Sequence, residues 1–90
     1  MYRLRFSDQA EEDLSRLKKN EPQAFKKALR LLDELVDHPT TGTGHPEPLR
    51  EDRAGQWSRR INKKHRLIYE VQEEIVLVLV LSAYGHYDDK

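Results

Sequence analysis

Seven consecutive residues near the end of the chain, Ile75 to Leu81, are all Ile, Val or Leu, and no other segment restricts the fold as much. Such a run suits a central strand buried on both faces, or one whose second face is covered by a partner. It is far shorter than the roughly 20 residues of a membrane-spanning helix, and neither a secretory nor a membrane segment is expected. The remaining sequence must supply this strand with neighbours and cover. Ninety residues allow one modest core, so residues 1–90 are read as a single domain.

The neighbours come from alternating segments. Tyr2, Leu4 and Phe6 alternate with Arg3 and Arg5, the period-2 pattern of a half-buried strand. Trp57 to Ile61 and His65 to Val71 read as two more strands joined at Asn62, Lys63 and Lys64. A three-residue turn sets Arg60 opposite Arg66. Trp57, Ile61, Leu67, Tyr69 and Val71 then share one face, and Ser58, Arg60, Arg66 and Glu70 the other. A two-residue turn mixes apolar with polar positions and is disfavoured. Facing guanidiniums repel each other across the strands, so this register makes most sense with an anion between them.

The cover is helical. Ser7 is placed as an N-cap for a helix with an Ala10, Leu14, Leu17 stripe, acids in its first turns and bases near its end, as the helix dipole favours. Pro22 opens a second helix carrying Phe25, Ala28, Leu29, Leu32, Leu35 and Val36 at helical spacing. It should stop at His38, because a residue preceding proline avoids the helical region. From Pro39 to Pro48, three prolines and two glycines predict an irregular loop that presents Glu47 between Pro46 and Pro48. The expected class is α+β, two N-terminal helices on a small, mainly antiparallel twisted sheet.

Charge is balanced overall but not locally. Residues 42–70 carry seven bases against four acids, a net of +3, while residues 71–90 are net −3. Local clustering governs phosphate attraction more than net charge does. The absence of cysteine excludes disulfides and thiolate metal sites, and the expected location is cytoplasmic. His38, His45, His65 and His86 lack metal-ligand spacing, so no metal or other cofactor is expected. Glu47, Arg50, Arg59, Arg60, Arg66, His86 and Tyr87 instead form an inventory suited to phosphodiester chemistry: a proton acceptor, a proton donor and fixed cations.

The series Gly44-His45-Pro46-Glu47-Pro48-Leu49, Gly55-Gln56-Trp57-Ser58-Arg59-Arg60-Ile61, His65-Arg66-Leu67-Ile68-Tyr69 and His86-Tyr87 resembles the YoeB/Txe toxins of the RelE/ParE superfamily. The resemblance implies a microbial-RNase-like fold, often dimeric, and a ribosome-dependent mRNA endoribonuclease silenced by a YefM-like antitoxin. By position it implies Glu47 as general base and His86 as general acid. Arg60 and Arg66 would stabilise the phosphorane-like charge, Tyr87 would help hold substrate, and Arg50 and Arg59 would bind RNA. Implied partners are the antitoxin, the ribosome with mRNA, and a second copy as homodimer. The alternative is a non-catalytic ParE-like toxin that binds DNA gyrase. The chain departs from the family pattern in its Asp88-Asp89-Lys90 tail and in lacking a basic residue among Ala83, Tyr84 and Gly85.

Overall fold

The computed structural model describes residues 1–49 and 55–85. Strand β1 (Arg3–Phe6) leads into helices α1 (Asp8–Asn20) and α2 (Pro22–Leu35), followed by strands β2 (Glu47–Pro48), β3 (Gln56–Arg60), β4 (Arg66–Gln72) and β5 (Leu77–Ser82). The five strands form one sheet in the order β1-β5-β4-β3-β2. Only the β1–β5 pair is parallel; the other three are antiparallel. The α+β architecture expected from the sequence is the one observed.

Both helices pack on one face of this sheet. Ala10, Leu17, Ala24, Ala28, Leu31, Leu32 and Leu35 meet Ile61, Leu67, Tyr69, Val78, Val80 and Ala83 in one apolar cluster. Ser7 caps α1 as expected: its Oγ accepts from the Ala10 amide at 3.0 Å and donates to the Leu81 carbonyl at 2.8 Å. The helix start is thereby tied to the end of β5. Asp13, expected as an ordinary first-turn acid, is buried instead, and its carboxylate accepts from the Ala83 amide at 2.9 Å and from Gln9 at 2.8 Å. On α2 the buried stripe centres on Ala24, Ala28, Leu31 and Leu35, which leaves Leu29 47% exposed rather than in the core. Leu29 joins Phe6 and Phe25 in a shallow apolar groove on the helical side.

Two strand expectations change. The apolar run does not begin β5 at Ile75, because Glu73–Ile75 form a single 3-10 turn. With Gln72 paired to Leu77, the reversal from β4 consumes Ile75 and Val76, which are exposed, and Val76 adopts a left-handed φ of 54°. The strand lies between β1 and β4, but it is closed only on its Val78 and Val80 side; Leu77 and Leu79 are half-exposed on the other. The second change is β2, since the segment read as irregular pairs Glu47 with Ser58 and Pro48 with Trp57. A residue before proline is held near extended geometry, and an edge strand tolerates a proline that donates no amide.

Candidate functional site

The three-residue turn is present. Ile61 and Asn62 amides donate to the His65 carbonyl at 3.0 and 3.3 Å, and Asn62 Oδ1 accepts from the Lys64 and His65 amides, both at 2.8 Å. Arg60 therefore faces Arg66. Trp57, Ile61, Leu67, Tyr69 and Val71 turn toward the helices, and Ser58, Arg60, Arg66 and Glu70 turn away.

On this outward face Glu47, Ser58, Ile68 and Ser82 stand in one row across four strands. Arg60 and Arg66 occupy the adjacent row. Directly paired residues share a face and diagonal neighbours lie roughly 7–8 Å apart, which is the relation of Glu47 to Arg60. Arg66 is one strand further, with its Cα about 12 Å from that of Glu47 given strand spacings near 4.8 Å. Glu47, Arg60 and Arg66 thus occupy neighbouring outward positions of the sheet, beside the buried pair Ser58 and Ile68. Among the described residues no carboxylate lies within ion-pair distance of Arg60 or Arg66. Arg60 also borders a cleft of about 460 Å³ that Lys27, His45 and Lys63 line, extending the cationic surface past the hairpin turn. No three His, Asp or Glu side chains gather as metal ligands among the described residues.

Arg50, His86 and Tyr87 lie outside the described residues. Just before His86, the Gly85 carbonyl accepts from the Arg66 amide at 2.9 Å. The chain thus leaves β5 and runs beside Arg66.

Arg59 is placed differently from the expectation that it binds RNA. It is 0% exposed, and strand parity is the reason: two residues from both Trp57 and Ile61, it must share their inward face. Its Nη1 pairs with Glu34 at 2.8 Å and donates to the Thr43 carbonyl at 3.3 Å. Its Nη2 donates to the carbonyls of His38 and Thr41, the latter at 2.6 Å, and its Nε donates to the Tyr69 hydroxyl at 3.1 Å. The Tyr69 hydroxyl donates in turn to the Pro39 carbonyl at 2.7 Å. Four loop carbonyls, those of His38, Pro39, Thr41 and Thr43, are thereby held by two buried side chains.

Glu34 completes this anchor, accepting from the Thr43 amide at 2.9 Å and hydroxyl at 2.6 Å. Those bonds, with the Arg59 guanidinium beside it, hold its carboxyl below the usual carboxylate range. Burial pushes the Tyr69 phenol up, against a smaller opposing effect of Arg59. The loop then turns through Gly44, whose carbonyl accepts from the Arg60 amide at 2.7 Å, and delivers Glu47 to the edge of the sheet. Sequence reasoning missed Glu34 and the Tyr69 hydroxyl in this role; the parity of Arg59 within an apolar face was the available signal.

Comparisons with known proteins agree with this architecture. The family model for the YoeB-like toxin of bacterial type II toxin-antitoxin systems matches residues 6–87. A toxin YoeB from Streptomyces coelicolor is 36% identical over 85 residues, covering 94% of this chain and 99% of that one. Among solved structures, a YoeB dimer from Staphylococcus aureus superposes with a TM-score of 0.83 at 34% identity, covering 96% of this chain and 98% of its own. A YoeB-YefM complex from the same organism gives 0.81 at 34%, covering 97% and 99%. Matched along nearly its whole length in sequence and in backbone, the chain belongs to the YoeB-like toxins of bacterial type II toxin-antitoxin systems.

Proposed function

We propose that this toxin is an endoribonuclease that cleaves mRNA on the ribosome, using the RNA's own 2′-hydroxyl as nucleophile. The observation that carries the proposal is the strand register that sets Glu47, Arg60 and Arg66 on neighbouring outward positions, beside Ser58 and Ile68. Two guanidiniums forced opposite each other, with no carboxylate paired to either among the described residues, are costly unless an anion sits there. A phosphodiester supplies that anion, and its two non-bridging oxygens suit the planar, bidentate arginine fork.

Because RNA carries its nucleophile, the protein must remove the 2′-proton, stabilise the pentavalent phosphorus and protonate the departing 5′-oxygen. Glu47 takes the proton. Arg60 and Arg66 act on the developing charge, where fixed donors are most effective, and His86 returns a proton to the 5′-oxygen. Tyr87 and Arg50 hold the flanking nucleotides. The products are a 5′-hydroxyl fragment and a 2′,3′-cyclic phosphate that opens to a 3′-phosphate.

The proposed partners are the ribosome with its mRNA, a second copy of the chain, and a YefM-like antitoxin whose acidic, partly disordered segment folds over the exposed cationic face. The solved relatives include a dimer and a YoeB-YefM complex, which supports the last two. Glu47→Gln and His86→Gln should each abolish cutting of translated mRNA with an unchanged circular dichroism spectrum. Arg66→Ala should lose roughly 10²-fold or more. A 2′-deoxy nucleotide immediately 5′ of the cut should block cleavage. Near-normal cutting by both Glu47→Gln and His86→Gln would reject the proposal.

A further inference from the structure

His65 is 2% exposed, and the chemistry described above does not use it. Its Nδ1 accepts from the Gly85 amide at 2.9 Å, and its Nε2 lies 2.9 Å from Glu21 Oε2. A backbone amide only donates, so Nδ1 must present a lone pair and Nε2 must carry the proton. The imidazole is therefore neutral and polarised, donating to a carboxylate at one end and accepting a backbone amide at the other. The Glu21 carboxyl is held below its usual range chiefly by the bond to His65, in keeping with a proton on Nε2. The Tyr84 ring packs against the imidazole at 4.3 Å between centroids, and the Arg16 guanidinium lies 4.5 Å over Tyr84.

These contacts converge on the three residues that precede His86. The Ala83 amide is held by Asp13, the Tyr84 ring by Arg16 and His65, and both polar groups of the Gly85 backbone by His65 and the Arg66 amide. Gly85 has a φ of 83°. With no Cβ it is the position from which the chain would otherwise swing most freely. Fixing its amide fixes the direction in which the next residue departs.

We infer that His65 is a positioning residue whose Nδ1 clamps Gly85 and thereby fixes the backbone that leads into His86. The inference rests on the ribonuclease reading, in which His86 is the general acid. A general acid must be within hydrogen-bond reach of its leaving oxygen, and a displacement of about 1 Å costs up to roughly 10²-fold in rate. His65 thus acts on the reaction through backbone geometry, without touching RNA.

Two near-isosteric variants separate the clamp from a merely structural link to Glu21. In His65→Gln the side-chain amide nitrogen takes the place of Nε2 and still donates to Glu21, but nothing accepts from Gly85. In His65→Asn the amide oxygen takes the place of Nδ1 and keeps Gly85, but Glu21 is released. Both are assayed in single-turnover cleavage of ribosome-bound mRNA, at a temperature where circular dichroism shows each folded. The expected result is a roughly 10- to 100-fold slower rate for His65→Gln, with apparent KM within about threefold and the rate largely rescued in His65→Asn. The Gly85 amide should exchange with solvent faster in His65→Gln but not in His65→Asn. A larger rate loss in His65→Asn than in His65→Gln, or unchanged Gly85 exchange in His65→Gln, overturns the clamp. Wild-type cutting by His86→Gln would instead refute the general-acid role on which the inference rests, and the exchange measurement would still decide whether His65 clamps Gly85.

Discussion

Replacing Arg59 with alanine should cost far more stability than RNA affinity. The guanidinium serves the carbonyls of His38, Thr41 and Thr43, the Tyr69 hydroxyl and the Glu34 carboxylate. Its removal deprives three carbonyls of a donor, nominally roughly 3–9 kcal/mol at 1–3 for each buried unsatisfied group. The upper part of that range does not apply, because His38, Thr41 and Thr43 sit at the surface, where water replaces part of what is lost. Glu34 also keeps both bonds from Thr43. About 3–5 kcal/mol, the lower part of that range, is the better figure. A chain of this size has a total stability of roughly 5–13 kcal/mol, and each kcal/mol moves its Tm by about 4–8 °C. The expected drop is therefore at least about 12 °C. Urea and thermal unfolding measure it, with Arg59→Lys as an intermediate control, since one ammonium cannot reach all five partners. RNA binding at a temperature where Arg59→Ala is folded should keep the wild-type salt dependence, whereas Arg60→Ala should lower the slope by about one phosphate contact. A stability loss below about 1 kcal/mol, accompanied by weakened RNA binding like that of Arg60→Ala, would refute the assignment of Arg59 to the interior.

The same anchor makes stability depend on acid. Glu34 has a depressed folded-state pKa, so its contribution is complete above the ordinary carboxylate value of about 4.3 and is lost as pH falls through the folded value; Glu34→Gln should lower stability at neutral pH and flatten the acid limb of a Tm-against-pH curve. An unchanged acid limb would place the acid sensitivity elsewhere. Gly44→Ala should destabilise by about 1–3 kcal/mol, because φ is +87° and a Cβ there meets the Arg60 carbonyl at 3.0 Å and Leu31 Cδ2 at 3.2 Å. Thermal melts test this, and a wild-type Tm would mean the loop shifts without strain.

The two-fold period of the strands made much of this legible. Segregating apolar from polar residues across the Asn62–Lys64 turn selected the correct register and with it the facing pair Arg60 and Arg66. The same rule applied to Arg59 and His65, both in step with Ile61, points them inward, where they are buried. Residue type argued the other way, since an arginine in a basic stretch reads as a phosphate ligand until an internal acid is found for it. That acid, Glu34, is 25 positions away on a helix, and no local pattern announces it. The two-residue strand β2 escaped for a similar reason: its existence depends on pairing with Ser58 and Trp57, while Pro46 and Pro48 signal only extended backbone. The exposure of Leu29 follows from helix packing that rotates the buried stripe toward Leu31, a choice the apolar spacing alone leaves open.

Arg59 and Arg60 show how a small sheet keeps an acid and a cation in fixed relation. Adjacent residues on a strand point to opposite faces, so one guanidinium enters the core and its neighbour enters the proposed site. The inward one ties down the loop whose Gly44 carbonyl accepts from the Arg60 amide and which continues to Glu47. The outward one faces Arg66. Both ends of the Glu47-to-Arg66 gap are thus referred to the same two residues of β3, and rigid elements hold such spacing better than loops do. A change at position 59 would therefore reach the chemistry through the placement of Glu47, and a one-residue slip of β3 would exchange anchor for ligand. The proline-rich segment is long because it must travel from the end of α2 to the far edge of the sheet, and the buried arginine keeps that length from becoming freedom of movement at Glu47.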